Sequence, residues 1–371
     1  MAHLFHGLLI KLAFLCFLWD AQHAVLFSQS LCMSSFELRT SLPCSEEAWE
    51  AESAEEWWEY AENEPQIPFL YILKAYVNSD SASRTPQLDA LSHLLILHGL
   101  MSIQWDMKRR DQASLGAGSV NQARSANQWT WQERLAQSYD VWKADFDTYC
   151  MNTTLSLRDG DAAKADFVRF STTTMAIYHA AHITLEVEIL DLKIYAGARH
   201  ILGRPVSRAD FDRSRRVVRE WAKPGKSMRA AKATWHAAHL LRDGIMNLDN
   251  WNVNHSFHYP WSLYLATLTV WAFNVANAAD DSAHVTHIKS QRAVGRTARE
   301  DWHINEETLW NAKVEMNALV SNMTTVIPDH LWRVLGKHST SGLTNVMARH
   351  LSEVRWAVEQ EGVKVLEGLT P

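Results

Sequence analysis

Two short segments carry the residue types and spacing that could do chemistry. His179-Ala180-Ala181-His182 is followed by Glu186, and His236-Ala237-Ala238-His239 by Asp243; an aromatic, Tyr178 or Trp235, precedes each. Positions i, i+3 and i+7 share one face of a helix, so two such helices could offer four imidazoles and two carboxylates to a metal pair. That would make a helical metal-dependent enzyme, which stands as the alternative reading. The order of residues speaks against it. Neither block has the Glu-x-x-His order of a di-iron bundle, and no His-Glu-x-x-His motif occurs. Met175, Ile177, Ile183 and Leu185 around the first block suit packing, so imidazoles buried against a backbone carbonyl or a carboxylate are the preferred reading.

Other chemical motifs are weaker. Asp280-Asp281-Ser282-Ala283-His284 lacks the third acid and the downstream Asn-x3-Ser-x3-Glu partner of a magnesium–diphosphate site. Gly116-Ala117-Gly118-Ser119 lacks the Lys and the preceding strand of a phosphate loop. No nucleophile elbow, dinucleotide fingerprint or kinase signature is present. The sequence therefore assigns no catalytic, cofactor-binding or metal-binding residue, and an enzyme is not expected.

The 371 residues can bury a large core. With 47% hydrophobic and 21% charged residues the chain falls in the ordinary globular range. Nine Pro and fourteen Gly favour helices over a turn-rich β architecture, and neither a strand–helix rhythm nor a solenoid repeat is present. A net charge of -6 argues against a chain whose main task is to neutralise phosphates. Cys16, Cys32, Cys44 and Cys150 have no zinc-site spacing, and so few thiols fit a reducing compartment. Asn152-Thr153-Thr154, Asn254-His255-Ser256 and Asn322-Met323-Thr324 are formal glycosylation sequons that matter only in a secreted chain. Met1 to Leu18 superficially resembles a signal peptide, but it has His3 and His6 where Lys or Arg belong, Lys11 interrupts it, and no small-x-small site follows. It is also too short and interrupted for a membrane span, so a core helix continuing through Trp19, Val25, Leu26, Leu31 and Phe36 is expected, with no membrane partner.

The helices that must position these residues can be read from periodicity. Leu42-Pro43-Cys44-Ser45 is read as the end of one helix and the start of another, with Ser45 as N-cap and Trp49 and Trp57 as apolar pins. Glu46 to Glu64 holds nine Glu and no Lys or Arg: a solvated face, or an acidic–aromatic patch with Trp49, Trp57, Trp58 and Tyr60. Helices are expected at 69–77, from Leu88 to Trp105, from Trp131 through Trp142, over Phe167–Ala198 with Gly197 as stop, over Phe211–Trp221, from Pro260 to Phe273, and over Glu306–Met323 and Gly342–Leu366. Trp310, Leu319, Val346, Leu351, Val354 and Val358 are the expected buried residues of the last two. Residues 106–128 read as a linker, and Ala283 to Glu300 as a flexible stretch. Seven Arg between Arg199 and Arg219 form a basic patch, read as a solvated helix face, a partner contact or an auxiliary contact to phosphates.

Several of these segments resemble one family. Phe17 to Phe27, the Leu42-Pro43-Cys44-Ser45 corner with Ala48-Trp49-Glu50-Ala51 and Ala54-Glu55-Glu56-Trp57, Tyr178 to Ile183, Ala196-Gly197-Ala198 with Ile201 to Arg204, Ala233 to His236, and Trp261 to Phe273 occur in the order found in the regulatory (middle homology, xylanolytic-activator-type) domain of fungal transcription factors. The nearest resemblance is to the C-terminal half of those with a pair of two-Cys-two-His zinc fingers. The resemblance spans roughly Phe17 to Val275 and implies an all-α, irregular multi-helix bundle. It implies a regulatory region at 1–105, a linker or loop at 106–128, a continuing helical core at 129–275 and C-terminal helices with a flexible connection at 276–371. It further implies control of RNA polymerase II transcription in the nucleus through an effector, co-regulators or the protein's own DNA-binding region. Zinc and DNA reading would belong to fingers absent from this chain, which on this resemblance is truncated. No cofactor is expected in the chain itself.

Overall fold

A computed structural model describes residues 2–63, 65–78, 86–113, 130–158, 162–225, 228–247, 258–277, 306–334 and 339–369. The protein is all-α. Among the described residues the only strands form a two-residue hairpin, His200–Ile201 with Arg204–Pro205, whose turn holds Leu202 and Gly203 at φ 51° and 75°. Contacts divide the chain into two compact units, Met1–Thr174 and Met175–Pro371.

In the first unit, α1 (Ala2–Phe27) lies on α5 (Ala90–Ala113), beside α4 (Phe69–Val77). Phe14 and Phe17 of α1 meet the Phe69 ring edge-on at 5.3 and 5.9 Å. Gly99 of α5 favours this close packing, because a Cβ would stand 2.8 Å from Leu73 Cδ1. The buried His98 has a defined tautomer: its Nδ1–H donates to the Leu94 carbonyl at 2.6 Å, which leaves Nε2 to accept from Gln22 Nε2 at 2.9 Å. Helix α6 (Trp131–Ser156) starts at a Thr130–Glu133 capping box. It is fixed to α5 by Trp142 Nε1 donating to the His93 carbonyl and by Tyr139 Oη donating to Gln104 Oε1. Trp142 also stacks on Phe146 at 4.9 Å.

The sequence reading is corrected at several points in this unit. Helix α1 has the length and composition of a membrane span over Gly7–Phe27, contrary to the reading of a run too short. One side is core, with Phe14, Phe17, Ala21, Ala24, Val25 and Leu26 buried. Leu8, Leu9, Leu12, Leu15 and Trp19 are about half exposed. The helix stops at Phe27, where Ser28 turns to φ 56° and Asp20 Oδ2 accepts the amides of Cys32 and Met33, so Leu31 and Phe36 lie beyond it. Leu42 and Pro43 end no helix. They belong to an extended connection in which Leu42 N donates to the Ile67 carbonyl and Phe69 N to that of Thr40. Ser45 does cap α2 (Glu46–Glu50), accepting from Ala48 N. Trp49 is no apolar pin, being 41% exposed with the Lys11 ammonium 3.7 Å above its ring. Trp57, on α3 (Ala54–Asn63), is only half-buried. Asp106 to Ala113, read as linker, are the last turns of α5; residues 114–129, with Gly116 to Ser119, lie outside the described residues.

Helix α7 (Ala162–Glu186) crosses from the first unit into the second. The expected single helix Phe167–Ala198 is two, because Val187 and Glu188 break it before α8 (Ile189–Tyr195); Gly197, at φ 97°, does supply the stop. The second unit continues with α9 (Arg208–Ala222), α10 (Arg229–Asn247), α11 (His258–Asn277), α12 (Glu306–Thr324), α13 (Ser341–Ser352) and α14 (Ala357–Glu367). Helix α11 is buried on every side from Tyr259 to Phe273 and packs against α8, α9, α10, α13 and α14. Thr267 and Thr269 fit this apolar setting because their hydroxyls donate back to the Leu263 and Leu265 carbonyls. Gly244 lets α10 close on α11, since a Cβ there would fall 2.5 Å from Leu263 Cδ2. The expected helix Gly342–Leu366 is broken between Ser352 and Ala357, and Trp310, expected inside, is 68% exposed. Asp280, Asp281 and the stretch Ala283 to Glu300 lie outside the described residues.

Trp142 joins a fully buried ring stack to a buried hydrogen bond. Trp142→Ala is expected to destabilise the chain by about 3–5 kcal/mol in chemical denaturation, whereas a substitution at exposed Trp310 changes it by under about 0.5 kcal/mol.

Candidate functional site: the polar core and arginine face of the second unit

Helices α7 and α10 do bring the two His-x-x-His segments together. His179 Nδ1 and His236 Nδ1 are 3.0 Å apart, so one ring N–H donates to the lone pair of the other. His182 and His236 stack face to face, centroids 3.9 Å apart and planes 7° from parallel. The Tyr178 ring meets His182 edge-on at 4.8 Å, and Trp235 covers His239 at 3.8 Å. His239 Nδ1–H donates to the Trp235 carbonyl one turn back.

Burial pushes the His236 imidazole well below its ordinary pKa, and the neighbouring His182, His179 and His239 push it the same way. His239 is lowered by burial too. A metal needs lone pairs aimed at one point. Here two Nδ1 atoms are spent on each other, and parallel stacked rings hold their in-plane lone pairs side by side. Among the described residues no group of three or more His, Cys, Asp or Glu side chains is arranged to hold a metal ion. The carboxylates expected beside the imidazoles are engaged elsewhere. Buried Glu186 accepts from Arg229 Nε at 3.1 Å, and Asp243 pairs with Arg242 at 3.2 Å. The metal-enzyme alternative therefore rests on spacing alone.

Two further buried acids were not singled out from the sequence. Asp191 on α8 accepts from Ser214 Oγ at 2.6 Å and Arg213 Nη2 at 2.9 Å, which ties α9 to α8 and removes one arginine from the basic patch. Glu359 on α14 is wholly buried, and neither of its carboxylate oxygens has a hydrogen-bond partner among the described residues; the same holds for Tyr264 Oη on α11. Gly362 permits this close approach, since a Cβ there would lie 3.2 Å from the Tyr264 ring. Desolvation raises the Glu359 carboxyl to about 8, partly offset by Lys193, so it is mostly protonated at neutral pH. Lys193, with Nζ 5.0 Å from the centre of the Trp261 ring, is lowered by burial and raised back in part by Glu359. Val358, expected inside, is half-buried. The buried stripe of α14 is Glu359, Val363 and Leu366, a spacing of i, i+4, i+7 that marks the true inner face.

The basic patch falls on α9, which opens with a Ser207–Asp210 capping box. Arg204 pairs with Asp210 at 3.4 Å and Arg208 reaches Asp212 at 3.9 Å. Arg215, Arg216 and Arg219, with Asp212, line a shallow surface concavity along one side of the helix.

Residues 8–144 match the fungal specific transcription factor domain. Over 360 residues it is 42% identical to the nicotinate catabolism cluster-specific transcription factor of Emericella nidulans, which covers 97% of this chain and 38% of that protein. It is 26% identical over 364 residues to zinc finger protein klf1 of Schizosaccharomyces pombe, covering 97% of this chain and 41% of that one. Zinc finger protein zas1 of the same yeast is 23% identical over 343 residues, covering 88% and 36%. The chain thus spans about two fifths of the length of these relatives. No solved structure matches it.

Glu359 gives a signed pH prediction. Its folded pKa, about 8, lies above the ordinary 4.5, so its contribution to stability is full below about 4.5 and is lost as pH rises to about 8. Glu359→Met is expected to gain on wild type progressively across that window and to level off above it, with about 1–3 kcal/mol at neutral pH. Urea unfolding of both proteins at stepped pH reads the difference.

Proposed function

We propose that this chain is the regulatory region of a fungal transcription factor and acts in the nucleus on RNA polymerase II transcription. The observation that carries the reading is the 42% identity to a transcription factor across 97% of the chain, which takes in both compact units. In this reading the chain works by binding an effector, a co-regulator or the protein's own DNA-binding region, and base reading and zinc belong to a finger module outside these residues. The name of that relative suggests the controlled genes, those of nicotinate catabolism. The chemistry of the second unit supports regulation over catalysis: its most unusual polar side chains are stacked, paired or sealed in the core.

The test is genetic. Deleting the gene in the organism that encodes the chain is expected to lower nicotinate-dependent induction of nicotinate-catabolic transcripts severalfold. Unchanged induction would refute the assignment of target. In parallel, the chain fused to a heterologous DNA-binding domain is expected to alter transcription of a reporter carrying that domain's site. A silent fusion would count against the regulatory reading itself.

A further inference from the structure

Helix α1 is apolar on two opposite sides. Phe14, Phe17, Ala21, Ala24 and Val25 form the buried side, which packs on α5 and on the Phe69 ring. Leu8, Leu12, Leu15 and Trp19 follow i, i+4, i+7, i+11 along the other side, with Leu9 at the edge, and all are about half exposed. The Trp19 ring is held in place against His23 at 4.8 Å. A surface helix ordinarily carries polar side chains on its outer face, and one that is apolar all round is ordinarily enclosed. From Gly7 to Trp19 the one charged residue is Lys11, and its ammonium lies over the Trp49 ring at the border of the stripe.

The chemistry of the stripe narrows what can cover it. A membrane span is incompatible with the packing, since lipid on every side would have to replace the contacts of Phe14 and Phe17 with Phe69. An anionic lipid surface is disfavoured by the border. Glu46, Glu50 and Asp89 lie close enough to act on the Lys11 charge, and no Lys or Arg occurs from Glu46 to Glu64. What fits is a protein surface as uncharged as the stripe, and a second copy presents one. A two-fold axis sets identical patches face to face, and the 4-3-4 spacing of the stripe is the seam spacing at which two helices interlock. Five large side chains left half open present on the order of 500 Å² per copy, so a symmetric pair covers on the order of 1,000 Å², the lower edge of a specific interface.

We propose that α1 is a self-association helix: the Leu8–Leu12–Leu15–Trp19 stripe of one copy packs on the same stripe of a second copy of this chain. The contact is apolar and small, so the dimer is reversible and salt does not dissolve it.

Sedimentation equilibrium of the full chain tests this, with a thiol reductant present because exposed Cys16 lies beside the stripe. Wild type is expected to dimerise below about 100 μM, with an affinity that added salt leaves unchanged or strengthens. Leu12→Glu with Leu15→Glu is expected to weaken association at least about tenfold with unchanged circular dichroism, because both positions already stand half in water. Leu12→Met with Leu15→Met keeps the seam apolar and is expected to dimerise as wild type does. A wild type that stays monomeric throughout that range would overturn the proposal. So would a dimer that salt dissolves, or one that survives the double glutamate variant. A monomeric wild type that instead floats with phosphatidylcholine vesicles through the same leucines would overturn it in favour of a lipid surface.

Discussion

The second unit depends on keeping its buried polar side chains uncharged or paired. Helix α11 has no solvated side from Tyr259 to Phe273, so every helix laid against it must bring polar groups into a region that penalises charge. The unit meets that constraint in three ways. The His236 imidazole is kept neutral by burial and by the neighbouring imidazoles. Asp191 and Glu186 are matched to arginines that reach them from the surface. Glu359 carries its proton. The last solution is the most costly, since neither carboxylate oxygen is hydrogen-bonded, and it falls on the last described helix of the chain.

This arrangement explains why residues that look chemical in sequence do no visible chemistry. Four imidazoles on two facing helices are a ligand set only if their lone pairs converge. In this core the rings stack and donate among themselves, and they pack as polar aromatics. The exposed leucines of α1, the acidic–aromatic α3 and the arginine face of α9 are distinctive surfaces among the described residues.

The sequence disclosed the elements better than their surroundings. Helical periodicity located α5, α6 and α9, continuous apolar runs located α4 and α11, and the Ser45 start and Gly197 stop signals stand where local chemistry puts them. It failed where the backbone changes direction without a Gly or Pro signal, at Val187–Glu188 and between Ser352 and Ala357. It failed again where a side chain's size was taken for burial. Trp49, Trp57 and Trp310 are large and apolar but partly or largely exposed, while Glu359 is charged by type and wholly enclosed. The pairing of the two His-x-x-His segments was legible from their spacing. Their orientation was not, since ring planes are set by long-range contacts that one segment does not encode.

The central claim, that His236 sits in the histidine stack as a neutral packing element, is tested most directly by following its imidazole resonances in a pH titration by NMR, with and without zinc. Its folded pKa is depressed, so its stabilising effect is present above the ordinary value of about 6.5 and is lost as pH falls through the folded pKa. The account predicts a ring that stays unprotonated well below 6.5, down to the acid unfolding transition, and resonances that ignore zinc. A His236 that titrates at its ordinary value in the folded protein, or one that shifts on adding zinc, would contradict it.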